Sequence, residues 1–333
     1  MTSTSDQLRA ALDRLLDGLP PRRAASAVER LMAGYRGQTP GPAPELRDRA
    51  DAVAYAAYRM PATFEAVSAA LAAFAARLPG WTPAGQLDLG GGTGAATWAA
   101  AGRWPGERPT LVLDRAGPAL ELGRELAGAA EAPAAVRGAR WQRQLLGADL
   151  PPTELITVSY VLGELPAADL DPLVDAVAAA GRAVVLVEPG SPDGYLRIRA
   201  ARDRLLAAGH TVLAPCPHGA TCPLTVGDDW CHFAARVSRS ALHRRVKGGE
   251  LPYEDEKFAY VATFREPPVA EVADPPAPRV IRRPRQRKGQ VLLDLCRPDG
   301  TTEARTVTKR HGTATYRQAR DTGWGDTFPP AED

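Results

Sequence analysis

Residues 86–104 read QLDLGGGTGAATWAAAGRW: a short buried strand, a turn with glycines at 90, 91, 92 and 94, and an alanine-rich helical stretch. A strand that runs through a glycine turn into a helix constrains the fold strongly. Glycine supplies positive φ and lets the backbone come close to a neighbour or a ligand. Further strand candidates follow at PTLVLDRA (109–116), ARWQRQLLGADL (139–150), LITVSYVLGEL (155–165) and AVVLVEPG (183–190), the last ahead of the helical YLRIRAARDRLLAAG. Strands alternating with helices, several of them apolar on both faces, predict an α/β protein with a doubly wound parallel sheet.

Two glycine patterns fit the turn. Gly90, Gly92 and Ala95 match the dinucleotide fingerprint G-x-G-x-x-G/A loosely. Asp88, Gly90, Gly92 and Gly94 match D-x-G-x-G-x-G, which resembles motif I of the class I S-adenosylmethionine (SAM) methyltransferases. The resemblance implies a Rossmann-like sheet with an acid that holds ribose hydroxyls at the end of the second strand. Asp114 in LVLDRA stands there, twenty positions after Gly94. These residues, with Asp149 and Tyr160, form the candidate SAM-binding set. Residues 159–165, SYVLGEL, hold neither the Asn/Asp-Pro-Pro-aromatic turn of base-nitrogen methylation nor a cysteine nucleophile. Glu164 is the polar group nearest the site; no catalytic base is identifiable, and enzyme activity stays open.

Flanking segments differ in texture. Leu8, Leu12, Leu15, Leu16 and Leu19 fall at helical spacing before Pro20-Pro21, AASAVERLMAGYR follows as a second helix, and residues 45–78 form a long helical stretch that Pro61 is expected to interrupt. After the Pro-rich ADPPAPRV, the segments GQVLLDLC, EARTVTK and ATYRQAR read as short strands of a β-rich appendage. The expected parts are an N-terminal helical region (1–80), a Rossmann-like domain (81–212), a Cys-rich and basic segment (213–275) and a C-terminal β-rich domain (276–333).

The chain holds four cysteines, three of them within CPHGATCPLTVGDDWCHF (216–233). Their spacing is C-x5-C-x8-C, and sixty-four residues separate the last of them from Cys296. The N-terminus has no signal or transit pattern, and no run reaches the roughly 18 apolar residues of a membrane span. A cytoplasmic location is expected, where clustered thiols are metal ligands or redox groups more often than disulfides. Four thiolates hold either an iron-sulfur cluster or zinc. The wide spacing favours a cluster, while His218 and His232 keep a Cys/His zinc site open.

The net charge of +2 hides two acid-free runs, 236–247 and 279–288. The first offers Arg236, Arg239, Arg244, Arg245 and Lys247, expected on one helix. The second offers Arg282, Arg283, Arg285, Arg287 and Lys288. Two such runs point to an anionic partner, most simply RNA. Tyr316, Arg317 and Trp324 add candidate stacking surfaces.

Together, AYAAYRMPATFEAV, LDLGGGTG, SYVLGEL, LVEPGSPDGYLRIRAARDRLL, CPHGATCPL, DWCHFAARVSRSALHRRVKGGELPYEDEKFAYV and YRQARDTGWGD resemble the methyltransferase-like proteins of the mitochondrial small ribosomal subunit and their bacterial relatives. The resemblance spans about residues 50 to 328. It implies a monomeric assembly factor of the small ribosomal subunit that contacts its rRNA. It also implies a 4Fe-4S cluster on Cys216, Cys222, Cys231 and Cys296. An active rRNA methyltransferase and a zinc-containing small-molecule methyltransferase are the alternatives.

Overall fold

The computed structural model describes residues 3–17, 26, 48–145, 149–239, 251–267, 272–273 and 276–329. Helix α1 (Thr4–Asp17) buries Leu8, Ala11 and Leu12 on one face. The second expected helix lies outside the described residues apart from residue 26. Helix α2 (Arg49–Ala75) is capped by the Asp48 side chain, which accepts from the Asp51 amide. Pro61 does not interrupt it. Pro61 lacks an amide to donate, yet Met60, Ala62 and Phe64 are all buried around it. That packing outweighs one missing backbone hydrogen bond.

The main sheet contains β1 (Gln86–Leu89), β2 (Thr110–Asp114), β3 (Arg140–Arg143), β4 (Thr153–Ser159), β5 (Gly181–Pro189), β6 (His210–Ala214), β7 (Phe233–Ser238) and β8 (Tyr253–Arg265). Its order is β3-β2-β1-β4-β5-β8-β6, with β7 also paired to β8. The five strands from β1 to β5 are mutually parallel. The expected all-parallel sheet is nevertheless corrected to a mixed one, because β8 runs antiparallel to β5, β6 and β7. Crossover helices α3 (Ala95–Arg103), α4 (Gly117–Ala127), α5 (Ala134–Arg137), α6 (Ala167–Ala180) and α7 (Pro192–Ala207) complete an α/β fold of the class I SAM-methyltransferase type. One face carries α1, α2 and an aromatic cluster in which Trp81 meets Trp104 and Phe264 edge-on, each at 5.5 Å between centroids. The other face is covered by α6 and α7.

Strand β8 has two working edges. Phe258 pairs with Pro189 of β5 on one edge and with Phe233 of β7 on the other. Ala262 pairs with Ala214 at the end of β6. Residues 215–232, which carry three cysteines, therefore leave the sheet at β6 and return at β7 along the same edge. The helix expected after Cys231 is corrected to this strand. Phe233, Ala235 and Val237 are buried in alternation, and that period of two overrides the helical spacing of the arginines.

The tail forms a second sheet, with β9 (Arg279–Val280), β10 (Arg285–Arg287), β11 (Gln290–Cys296) and β12 (Thr302–Thr308) in the order β10-β11-β12 and β9 on β11. ATYRQAR is not a strand but part of helix α8 (Thr313–Asp321). Only Ala319, with part of Tyr316, turns toward the small core of Val280, Val291, Leu293, Leu295, Val307 and Phe328, a helical period of three. No helix among the described residues is long and apolar enough to cross a membrane.

One packing detail sets a test. Gly123 lies within α4, and a Cβ there would stand 2.2 Å from Cζ3 of Trp141, a buried ring. Helix propensity alone favours Gly123→Ala by about 1 kcal/mol. Overpacking costs about 1–3 kcal/mol, and the clash wins. Urea denaturation should therefore show the variant less stable than the native chain, and a stabilised variant would refute the Trp141 contact.

Candidate functional site

Two sites take shape where sequence motifs meet. The first is the glycine turn. Gly90, Gly92 and Gly94 adopt φ of +65°, +53° and +86°, conformations that a side chain rarely accepts. Asp88 points inward, away from any ligand. Its carboxylate accepts from the Thr97 amide at 3.1 Å, Thr97 Oγ1 at 2.9 Å and Thr157 Oγ1 at 3.0 Å. Burial pushes it up to about 6, against those three donors. Asp88 thus braces the turn by tying β1 to α3 and β4.

Asp114, at the end of β2, lies over the turn and accepts from the Gly92 amide at 2.8 Å and the Ala116 amide at 2.7 Å. Glu164 belongs to a short 3-10 turn (Leu162–Glu164) that follows β4. Burial, then the nearby Asp114 carboxylate, pushes Glu164 up to about 7. Tyr160 holds a left-handed φ of +60°, strained for a tyrosine. Its hydroxyl donates to Glu256 at 2.9 Å, and Glu256 pairs with Arg59 at 3.0 Å. The Arg59 guanidinium also covers the Tyr160 ring, 5.3 Å from its centre. Tyr55 of α2 is close enough to feel Glu164 and Asp114, and burial pushes its hydroxyl up to about 12. Asp149, also expected here, is exposed ahead of β4, and no hydrogen bond recorded among the described residues joins it to the turn.

Sequence reading missed Tyr55, Arg59 and Glu256. Arg59 and Glu256 are 197 residues apart, and nothing local marks either as a site residue. The region around the turn brings together positive-φ glycines, two acids and an aromatic hydroxyl. Such a set suits a polyhydroxylated ligand with a cationic part.

The second site is the thiol cavity. Cys216, Cys222, Cys231 and Cys296 all line one cavity of about 40 Å³. That exceeds the roughly 10–15 Å³ needed for one water. No group of three or more His, Cys, Asp or Glu among the described residues is drawn close enough to hold a single metal ion. All four cysteines border the same space. Tyr195 Oη lies 3.3 Å from Cys222 Sγ, and His218 Nε2 lies 3.3 Å from Cys296 Sγ. Arg202, itself buried, reaches Cys216 and donates to the carbonyl oxygens of His218 at 3.1 Å and Ala220 at 2.7 Å. Burial raises the Cys216 and Cys231 thiols and pushes Cys296 up to about 12; neighbouring thiols add to each shift. Soft sulfur donors, each within electrostatic reach of others, fit a thiolate-bound inorganic centre. Arg279 docks the tail here. Its Nε donates to Pro215 O at 3.0 Å and its Nη1 to Gly325 O at 2.6 Å. His232 is not turned to the cavity lining; its ring packs between Trp230 and Trp324.

The basic residues divide. Arg236 pairs with Asp255 at 2.6 Å and stacks on Tyr253. Arg239 pairs with Glu254 at 2.9 Å, and Arg282 pairs with Asp229. Arg285 stands 3.7 Å from Asp294, while Arg283, Arg287 and Lys288 are exposed. Arg244, Arg245 and Lys247 lie outside the described residues. Tyr316 packs on the tail core and Trp324 against His232, so neither is an open stacking surface.

The raised carboxyls fix a pH dependence. Asp88 and Glu164 hold protons in the folded chain at pH values where the unfolded chain has released them, so their contribution weakens as pH rises from about 4 toward about 7. Glu164→Gln removes one part of that loss. Its stability relative to the native chain should climb between pH 4.5 and 8 by about 1–3 kcal/mol. Urea titrations at several pH values measure this, and a pH-independent difference would contradict the burial of Glu164.

Comparison with known proteins adds the following. The family described as "Rsm22: Mitochondrial small ribosomal subunit Rsm22" matches residues 49–329. The human protein "Ribosome assembly protein METTL17, mitochondrial" is 31% identical over 291 residues, covering 83% of this chain and 62% of that one. The Saccharomyces cerevisiae protein "Ribosome assembly protein RSM22, mitochondrial" is 25% identical over 180 residues, covering 36% of this chain and 29% of that one. The chain thus spans less than two thirds of either relative. Among solved structures, an O-methyltransferase family protein from Burkholderia thailandensis overlaps with a TM-score of 0.44 at 14% identity, over 72% of this chain and 68% of its own. At that score the fold assignment rests on strand order. The expected cytoplasmic location is overturned, since the family and both curated relatives are mitochondrial by name. A match over residues 49–329 places this chain in the Rsm22 family.

Proposed function

We propose that the chain is an assembly factor of the small ribosomal subunit that binds SAM, a four-thiolate iron-sulfur cluster and rRNA. One observation carries the reading: four cysteines, three from a loop and one from a separate sheet, line a single cavity. Family membership and the names of the relatives supply the ribosomal context, and the compartment those names carry is the mitochondrion. In this reading the helical region (1–80), the Rossmann-like body (81–212), the Cys-rich and basic segment (213–275) and the β-rich tail (276–333) act as one RNA-binding body.

The wide C-x5-C-x8-C spacing and a cavity bordered by all four cysteines favour a 4Fe-4S cluster over zinc. When bound, it would cross-link loop and tail and add its binding free energy to folding. Cys216, Cys222, Cys231 and Cys296 would hold it. Tyr195, Arg202 and His218 would donate to three of the sulfurs and offset their charge.

SAM fits the glycine turn. In this reading Asp114 would accept ribose hydroxyls, and the acids around it would favour a sulfonium. Asp88 and Tyr160 support that turn through the contacts described, while Gly90 and Gly94 let it pack against Val161 and Trp141 and Gly92 lies beneath Asp114. The second reading, an active rRNA methyltransferase, draws on Glu164 alone. A carboxyl pushed up to about 7 can take a proton near neutrality.

Protein prepared without air should be brown, with iron and acid-labile sulfide. Changing Cys296 to Ser should strip most of that iron although Cys296 lies outside the loop; a colourless protein holding zinc would remove the cluster. Separately, calorimetry of Asp114→Ala should show SAM affinity lower by tenfold or more, about 1.4 kcal/mol. Undiminished affinity would move the pocket elsewhere.

A further inference from the structure

The tail sheet has two unlike faces. Val291, Leu293, Leu295 and Val307 are buried on the side of α8. Strand register orders the other side. Arg287 stands beside Gln290 and Thr308, Arg285 beside Leu292 and Thr306, and Arg279 beside Cys296 and Thr302. Gln290 and Cys296 are the two ends of β11, about 20 Å apart at roughly 3.3 Å per residue. One end of this face therefore closes on the thiol cavity. The other emerges at Arg287 and Lys288 and, just past Thr308, at Lys309 and Arg310. Gln286 Nε2 donates to Arg320 O at 3.0 Å, which brings the last turn of α8 to the β10 edge, with Arg317 one turn back.

These six cations come from three separate stretches of sequence. All are exposed, and none has a recorded ion pair among the described residues. In contrast, Arg236, Arg239 and Arg282 are matched to Asp255, Glu254 and Asp229. Among the described residues of the two acid-free runs, the unpaired cations thus sit on the tail.

We propose that this end of the tail sheet is a phosphate-tracking surface for an RNA backbone, built by Arg287, Lys288, Lys309, Arg310, Arg317 and Arg320. The choice of RNA rests on the assembly-factor reading. The surface chemistry agrees with it. Hydroxyl and amide side chains of Thr306, Thr308 and Gln290 lie between the cations, which is how phosphate oxygens are met. Among the described residues, the exposed large apolar side chains are Leu145, Leu196, Val226, Leu251 and Tyr253, none of them in the tail. A membrane-seeking surface inserts apolar anchors, and a protein interface centres on aromatic or aliphatic ones. A polyanion needs neither.

Fluorescence anisotropy with a labelled small-subunit rRNA fragment tests the proposal on the full chain. The Lys309→Gln, Arg310→Gln, Arg317→Gln triple variant should bind at least tenfold more weakly near 0.1 M salt. The slope of log affinity against log salt should become shallower by about 2–3. The charge-keeping Lys309→Arg, Arg310→Lys, Arg317→Lys variant should keep the native slope. Native affinity and slope in the glutamine variant overturn the proposal, as does loss of binding in the charge-keeping one. Tight binding to phosphatidylserine vesicles that the RNA fails to displace replaces RNA with a lipid surface and also overturns it. A native chain that binds no RNA removes the assembly-factor reading itself.

Discussion

Much of this molecule depends on the pairing of β8. It enters a parallel sheet in the antiparallel sense and gives one edge to β5 and the other to β6 and β7 in succession. Both ends of the Cys-bearing loop are therefore pinned to one strand, Ala214 to Ala262 and Phe233 to Phe258. Closing a loop costs entropy that grows slowly with its length, and here the sheet bears that cost. The same strand delivers Glu256 to Tyr160 and Arg59. One backbone ladder thus sets the frame of both the thiol cavity and the mouth of the glycine pocket.

Charge is distributed unevenly between those sites. The glycine pocket collects acids whose burial favours their neutral forms, while buried cations, Arg202 and Arg279, border the sulfurs. Uncompensated buried charge is expensive, so each arrangement favours a ligand of opposite sign. The acids suit a cationic ligand and the guanidinium groups suit an anionic centre. Arg59 and Arg115 are cations near the acids; Arg59 is taken up by Glu256, while Arg115 acts on Asp114 and Glu164.

The sequence was legible where a local pattern was enforced by the chain itself. The glycine turn, β1, β2, β4 and β5 follow from buried runs and positive-φ glycines, and the four thiols stand out by scarcity. Other features depended on distant partners. Strand β8 begins with the polar, alternating YEDEK and ends buried on both faces, so no single period describes it. The spacing of Arg236 and Arg239 imitates a helix, whereas the burial of Phe233, Ala235 and Val237 follows a period of two. ATYRQAR has no glycine and a single β-branched residue, Thr315, so its local signal is weak, and the Ala319 contact with the tail core goes with the helix. Asp88 was read as a ligand group, yet only the fold reveals Thr97 and Thr157 consuming its lone pairs.

Arg279 has a consequence for how such a protein is made. Its guanidinium joins Pro215, at the entrance to the Cys loop, to Gly325 near the end of the chain, through backbone oxygens alone. None of these bonds involves sulfur. Tail and body therefore share a seam in which no thiol takes part. Under the proposed four-thiolate reading, such a seam would permit late insertion into a finished shell instead of winding the chain around a preformed core.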